Sequence, residues 1–200
     1  SFGINSLRNS IANYQKHFYE IEWKPTDEII ITAGATEALY DTINALLNPG
    51  DEAILFEPYY DSYFADVILA GGVPKFVTLK LPDFSFDFDE LEQQITSKTK
   101  IIILNNPHNP TGKVFKNNEL EFIAQIAKKY NLYVISDEVY EFLTFENIKH
   151  TPIASLDGMQ DRTITISSCG KTFGFTGWKI GYAMAKKEFI EAIHGVHQWT

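Results

Sequence analysis

Two hundred residues with 44% apolar content are enough to bury one substantial core. A formal net charge of −9 argues against nucleic acid or an anionic membrane as a partner. No apolar run is long enough to span a bilayer and no signal-peptide pattern opens the chain; Cys169 is the only cysteine, so no internal disulfide can form, which fits a reducing cytoplasm.

In chain order, Leu7, Ile11, Tyr14 and Phe18 recur at helical spacing. Ile29-Ile30-Ile31-Thr32 reads as a buried strand running into Ala33-Gly34-Ala35-Thr36-Glu37. A helix is predicted over 36–47, with apolar residues at Leu39, Ile43, Leu46 and Leu47 and a stop at Pro49-Gly50. A strand, a glycine turn and a helix start make an anion site, because free N–H groups and the positive end of the helix dipole converge there. Gly34 lets the chain turn closely and Thr36 adds a hydroxyl, although many such turns only cap a helix.

Strands are predicted at 52–57, 73–78 and 100–105, and helices over 60–70 and 88–96. The apolar run Ile101 to Leu104 leads into Asn105-Asn106-Pro107-His108-Asn109-Pro110-Thr111-Gly112. This reads either as an ordinary loop or as a stiff one that holds an amide in place, with a cis Asn109-Pro110 bond allowed. The helix predicted over 117–130 opens with Asn117, Asn118 and Glu119 and closes with Lys128 and Lys129, as its dipole prefers.

A strand over 132–136 runs into Asp137, with Tyr140 three residues on. Ligands of open parallel sheets sit beyond the carboxyl ends of strands, so Asp137 either meets a ligand or caps the next helix. A carboxylate there bears a desolvation cost unless a cation faces it. The strand 163–167 precedes Ser168-Cys169-Gly170-Lys171-Thr172-Phe173-Gly174-Phe175-Thr176-Gly177-Trp178-Lys179, where Lys171 and Lys179 lie close in a glycine-rich stretch. An amine beside a second cation becomes nucleophilic toward carbonyls, and the pair suits a carbonyl cofactor with a phosphate tail. Read alone, the same lysines form a solvated basic loop; Cys169 suits a small buried apolar role. A strand over 180–185 and a helix over 186–197 follow. Alternating strands and helices make an α/β fold, a mostly parallel sheet covered on both faces.

Together the four stretches resemble the aspartate-aminotransferase family of fold-type I, pyridoxal 5′-phosphate (PLP) dependent enzymes. The Ser-x-Gly-Lys-Thr-Phe-x-x-Thr-Gly-Trp-Lys run and Glu57-Pro58-Tyr59-Tyr60-Asp61 are most similar to the kynurenine, glutamine and methionine aminotransferase branch. The resemblance implies a seven-stranded sheet with one antiparallel strand, expected at 180–185 because the preceding loop is too short for a crossover helix. By resemblance, Lys171 matches the Schiff-base lysine, which also shuttles a proton between the substrate α-carbon and cofactor C4′. Asp137 matches the acid paired with the pyridine nitrogen, keeping the ring an electron sink. Asn109 and Tyr140 match the side chains bonded to the phenolic oxygen, and Tyr60 the aromatic stacked on the ring. Gly34, Ala35 and Thr36 match the phosphate turn, supported by Ser168 and Lys179.

The resemblance further implies a homodimer acting on an amino acid and a 2-oxo acid. Residues 1–200 correspond to the PLP-binding large domain, with the N-terminal segment and the C-terminal small domain outside them. Arg8 and Arg162, the only arginines, do not fall where the family's carboxylate-binding arginine lies. Two other readings share these motifs: a C–S β-lyase on the same fold, and an aminotransferase-like regulatory domain. Tyr59, Tyr60 and Tyr63 hint at large or sulfur-containing substrates and read equally as packing.

Overall fold

The computed structural model describes residues 1–200. Its strands are β1 (Ile29–Thr32), β2 (Glu52–Glu57), β3 (Val73–Thr78), β4 (Thr99–Asn105), β5 (Tyr133–Asp137), β6 (Thr163–Ser168) and β7 (Gly181–Met184). Its helices are α1 (Asn5–Tyr19), α2 (Ala35–Leu46), α3 (Asp61–Leu69), α4 (Phe88–Gln93), α5 (Asn117–Lys129), α6 (Cys169–Thr172) and α7 (Lys187–His197). The strands form one sheet in the order β1-β7-β6-β5-β4-β2-β3. All its pairs are parallel except the two made by β7, which runs antiparallel to β1 and β6. The expected antiparallel strand is therefore the last one, shortened to Gly181–Met184.

The unbroken apolar run of β4 follows from burial on both faces. Ile101 and Ile103 point into a core with Leu39 and Ile43 of α2, Val67 of α3 and Ile190 of α7. Ile102 and Leu104 point the other way, into a core with Leu91 of α4 and Leu120 and Ile123 of α5. A smaller cluster seats α1 through Ile11 against Ile29, Tyr182 and Met184. The helical spacing identifies α1, yet Phe18 at its end is 52% exposed rather than core.

Some boundaries move. Asp137 is the last residue of β5 and Ser168 the last of β6, so both are held by the sheet rather than by loops. The predicted 88–96 helix ends at Gln93, capped at its start by Asp87, whose side chain accepts from the Asp89 and Glu90 N–H groups. The one-turn helix α6 was not anticipated, because four residues carry no readable period.

Register then aligns the functional edge. Thr32 of β1 and Ser168 of β6 both stand opposite Gly181, and Asn105 of β4 stands opposite Asp137. A Cβ at Gly181 would lie 2.2 Å from the Gly34 carbonyl carbon and 2.4 Å from the Ala35 nitrogen. Only glycine lets β7 begin against this turn, and Gly34 itself has φ +89°, a conformation that side chains resist.

Candidate active site

The carboxyl ends of β1, β4, β5 and β6 surround a cavity of about 520 Å³. At one end is the start of α2. Its N-cap, Gly34, supplies no side-chain acceptor, so first-turn N–H groups stay free for an anion. Thr32 Oγ1 donates to the Gly34 carbonyl at 2.8 Å, and the Glu37 carboxylate accepts the Ala33 N–H, fixing the turn from both sides. The Lys179 side chain passes over this turn: its Cδ lies 3.9 Å from where a Gly34 Cβ would stand. Lys179 has left-handed backbone angles (φ 50°, ψ 51°), and its N–H closes a turn onto Thr176 at 3.2 Å.

Asp137 forms the floor, 4% exposed. Tyr63 Oη donates to its Oδ2 at 2.6 Å, and the Val139 N–H reaches Oδ1 at 3.3 Å. Its main-chain carbonyl accepts from Asn105 Nδ2 and from the Asn106 N–H, both at 3.0 Å. Burial pushes the Asp137 carboxyl up to about 6, against the downward pull of the Tyr63 and Val139 donors; no cation of the chain is among the groups that act on it. Burial, then Asp137 and Tyr60, also raise the Tyr140 hydroxyl, which stays protonated near neutral pH.

Asn109 sits on a braced loop. Asn105 Oδ1 accepts the Asn109 N–H at 2.6 Å, and Asn106 Oδ1 accepts the Phe115 N–H at 3.0 Å. Behind the loop, Lys113 and Glu119 form a buried ion pair at 2.8 Å. Burial lowers the His108 imidazole to about 4 and keeps it neutral; Thr111 Oγ1 lies 2.8 Å from its Nδ1. The Asn109-Pro110 bond is cis.

Lys171 rides on α6, directly after β6. Its Nζ lies 6.0 Å from the centre of the Tyr140 ring, and its side chain is open to the cavity mouth. Tyr60 packs edge-to-face on Tyr63, with centroids 5.6 Å apart.

Gly34, Ala35, Thr36, Tyr60, Asn109, Asp137, Tyr140, Ser168, Lys171 and Lys179 all line this one cavity. Sequence reasoning missed Tyr63, Asn105 and Thr176, which line it as well. Of the two readings of Tyr63 the packing one holds, since its ring is buried in the core, and its hydroxyl is in addition committed to Asp137. The available signal was its place three residues after Tyr60 on a helix: a buried tyrosine hydroxyl needs a partner. Tyr59, in turn, stacks on Phe76 and Phe64.

A sheet of this topology with a lysine, an acid and a helix start converging at its carboxyl edge defines a PLP-transferase architecture. The chain belongs to the class I and II aminotransferase family, whose model matches residues 1–198. It is 42% identical to the kynurenine–oxoglutarate transaminase of Dictyostelium discoideum, across 97% of this chain and 48% of that protein. It is 44% identical to a probable N-succinyldiaminopimelate aminotransferase, DapC, of Mycobacterium tuberculosis, across 98% of this chain and 50% of that protein. The solved structure of YbdL from Escherichia coli, described as having a methionine aminotransferase function, superposes with a TM-score of 0.96 at 38% identity, across 99% of this chain and 52% of that one. The chain thus spans about half the length of the curated relatives it matches.

Class I and II aminotransferases depend on PLP, and the donor set here fits that group. The uncapped α2 start, Ser168 and Lys179 suit a phosphate. The buried Asp137, lacking any cation of its own chain, suits a protonated ring nitrogen. The open Lys171 amine suits a carbonyl. No helix is long and apolar enough to cross a membrane.

Proposed function

We propose that residues 1–200 are the PLP-binding large domain of a transaminase that moves an amino group between an L-amino acid and a 2-oxo acid by a ping-pong route. The observation that carries this reading is one cavity lined by both Lys171 and Asp137, with the start of α2 and Lys179 at its far end. When bound, PLP supplies a carbonyl that condenses with amines and a ring that delocalises a carbanion. The chain's own groups then have distinct tasks. Lys171 would hold the cofactor covalently, and its Nζ, when free, would be the base that moves the substrate α-proton. Asp137 would hold a proton at the ring nitrogen through charge attraction in a poorly solvated site. Asn109 and the protonated Tyr140 would donate to the phenolic oxygen, and Tyr60 would stack on the ring, contributing about 1 kcal/mol beyond buried area. Gly34, Ala35, Thr36, Ser168 and Lys179 hold the phosphate.

The named relatives act on kynurenine, N-succinyldiaminopimelate or methionine, which supports a donor with a long, aromatic or sulfur-containing side chain; glutamine belongs to the same range. Exposed Phe142 and Phe173, which both pack against Tyr14, support burial of this face by a second copy, as a homodimer would provide. We assign the protein to the cytoplasm on its single, buried cysteine. The test is borohydride reduction of the full-length protein with PLP, followed by peptide mass spectrometry, and an amino-donor screen. The expected result is a reduced adduct on Lys171 and amino transfer to a 2-oxo acid. An adduct on another lysine, or an unmodified chain, overturns the reading.

A further inference from the structure

Asp137 is held at both its main chain and its carboxylate, and one contact stands apart from the rest. Its main-chain carbonyl is held from β4 by Asn105 and Asn106, which fixes where the residue sits but not how its carboxylate turns. The carboxylate has two donors within the chain. The Val139 N–H at 3.3 Å is a weak one, two residues away on the same segment. Tyr63 Oη at 2.6 Å is short, buried and 74 residues away in sequence. Tyr63 is 3% exposed, and its ring is packed in the core between α2, α3 and the sheet, so the hydroxyl has little freedom to look elsewhere.

We infer that Tyr63 is a positioning residue for the cofactor: by occupying Oδ2 it fixes the turn of the Asp137 carboxylate and leaves Oδ1 as the oxygen that would meet the ring nitrogen. This rests on the proposed transaminase reading. A carboxylate offers about four acceptor sites, and Tyr63 takes one by a charge-assisted bond of the strong kind. Without it, burial acts on Asp137 with little opposition, since Tyr63 is the first of the groups holding its proton affinity down. The shared proton then moves from the ring nitrogen toward the carboxylate, and the ring loses part of its positive charge. Tyr63 touches no reacting atom; it acts through Asp137.

The experiment uses full-length protein and PLP labelled with ¹⁵N in its ring. Wild type must first take PLP onto Lys171, as read by borohydride trapping; if it does not, the transaminase reading fails and the role of Tyr63 falls with it. Given trapping, Tyr63→Phe is expected to retain the adduct on Lys171, to weaken PLP affinity about tenfold and to move the ring-nitrogen signal toward the unprotonated position. The same substitution in an Asp137→Asn background should leave both quantities where Asp137→Asn alone puts them. Tyr63→Met fills the same apolar space without a hydroxyl and should match Tyr63→Phe, so either variant that folds decides. A wild-type nitrogen signal and affinity in the folded variant, or an equal loss in the Asp137→Asn background, overturns the inference in favour of simple packing.

Discussion

Tyr19, the last residue of α1, donates a hydrogen bond of 2.5 Å to Glu141, 122 residues further along the chain. Glu141 is 2% exposed, and its other oxygen accepts from Thr172 at 3.3 Å, the residue next to Lys171. Burial raises the Glu141 carboxyl and the Tyr19 donor opposes that rise. The helix at the start of the chain is therefore tied to the turn that carries the reactive amine. Tyr19→Phe leaves this carboxylate short of its best donor, and a lost hydrogen bond to a charged group costs about 1.5–3 kcal/mol. Urea unfolding of wild type and variant reads the loss directly. Equal midpoints would mean that Glu141 is held well enough by its other neighbours.

Lys171→Ala is expected to abolish amino transfer and to remove the near-visible absorbance of lysine-bound PLP, while PLP is still retained weakly by the phosphate turn. Spectra of the reconstituted protein before and after dialysis make the comparison. Retained lysine-type absorbance would give the role to another amine.

Asp137 makes the PLP-free protein sensitive to pH. Its carboxyl is raised from 3.8 to about 6 in the folded state. The folded chain thus binds a proton more readily than the unfolded one. Its contribution is favourable below about pH 4 and is lost as pH rises through about 6, worth roughly 3 kcal/mol at most. Asp137→Asn removes this loss. The variant should gain stability relative to wild type between pH 4 and 7 when PLP is absent, and it should bind PLP more weakly. Denaturant titrations at pH 4.5 and 7.5 check the first part; a stability difference that does not change with pH would refute it.

Gly181→Ala forces a methyl group into the turn between Gly34 and Ala35, against backbone that has no rotamer to yield. A cost above about 2 kcal/mol and a marked loss of PLP affinity are expected together, because the displaced atoms belong to the turn proposed to receive the phosphate. Alanine at Gly177, where nothing lies within 4 Å, is the control and should leave stability nearly unchanged.

Glu119→Ala strands the Lys113 ammonium in a site where the two side chains are 3% and 4% exposed. Removing one partner of a buried pair costs about 3–5 kcal/mol, so this variant should be among the least stable. Replacing both residues with apolar ones of similar size should recover most of that loss.

The elements that read well from sequence were those whose information is local. The Ile101–Leu104 run, the glycine turn after β1 and the capped helix α5 each declare themselves within a few residues. The ten candidate site residues converge because each lies at or shortly after the carboxyl end of a strand, or just before the antiparallel β7, and the topology brings these ends to one edge. What escaped depends on distance. Tyr63 looks like any aromatic on a helix until Asp137 arrives beside it. Asn105 reads as the tail of a strand, yet it links the Asn109 loop to Asp137 by two hydrogen bonds. Glu141 and Tyr19 carry no mutual signal at all, since neither has a local motif.

The order of the strands also sets an order in time. Of the seven strands of this sheet β1 comes first in sequence, yet its one neighbour is β7, the seventh. Until β7 is made, β1 has no partner in this sheet, and the glycine turn behind it lacks the strand it packs against. This edge of the cavity is therefore incomplete before residue 181, and a nascent chain stalled short of it is expected to capture PLP poorly however well its central strands have paired.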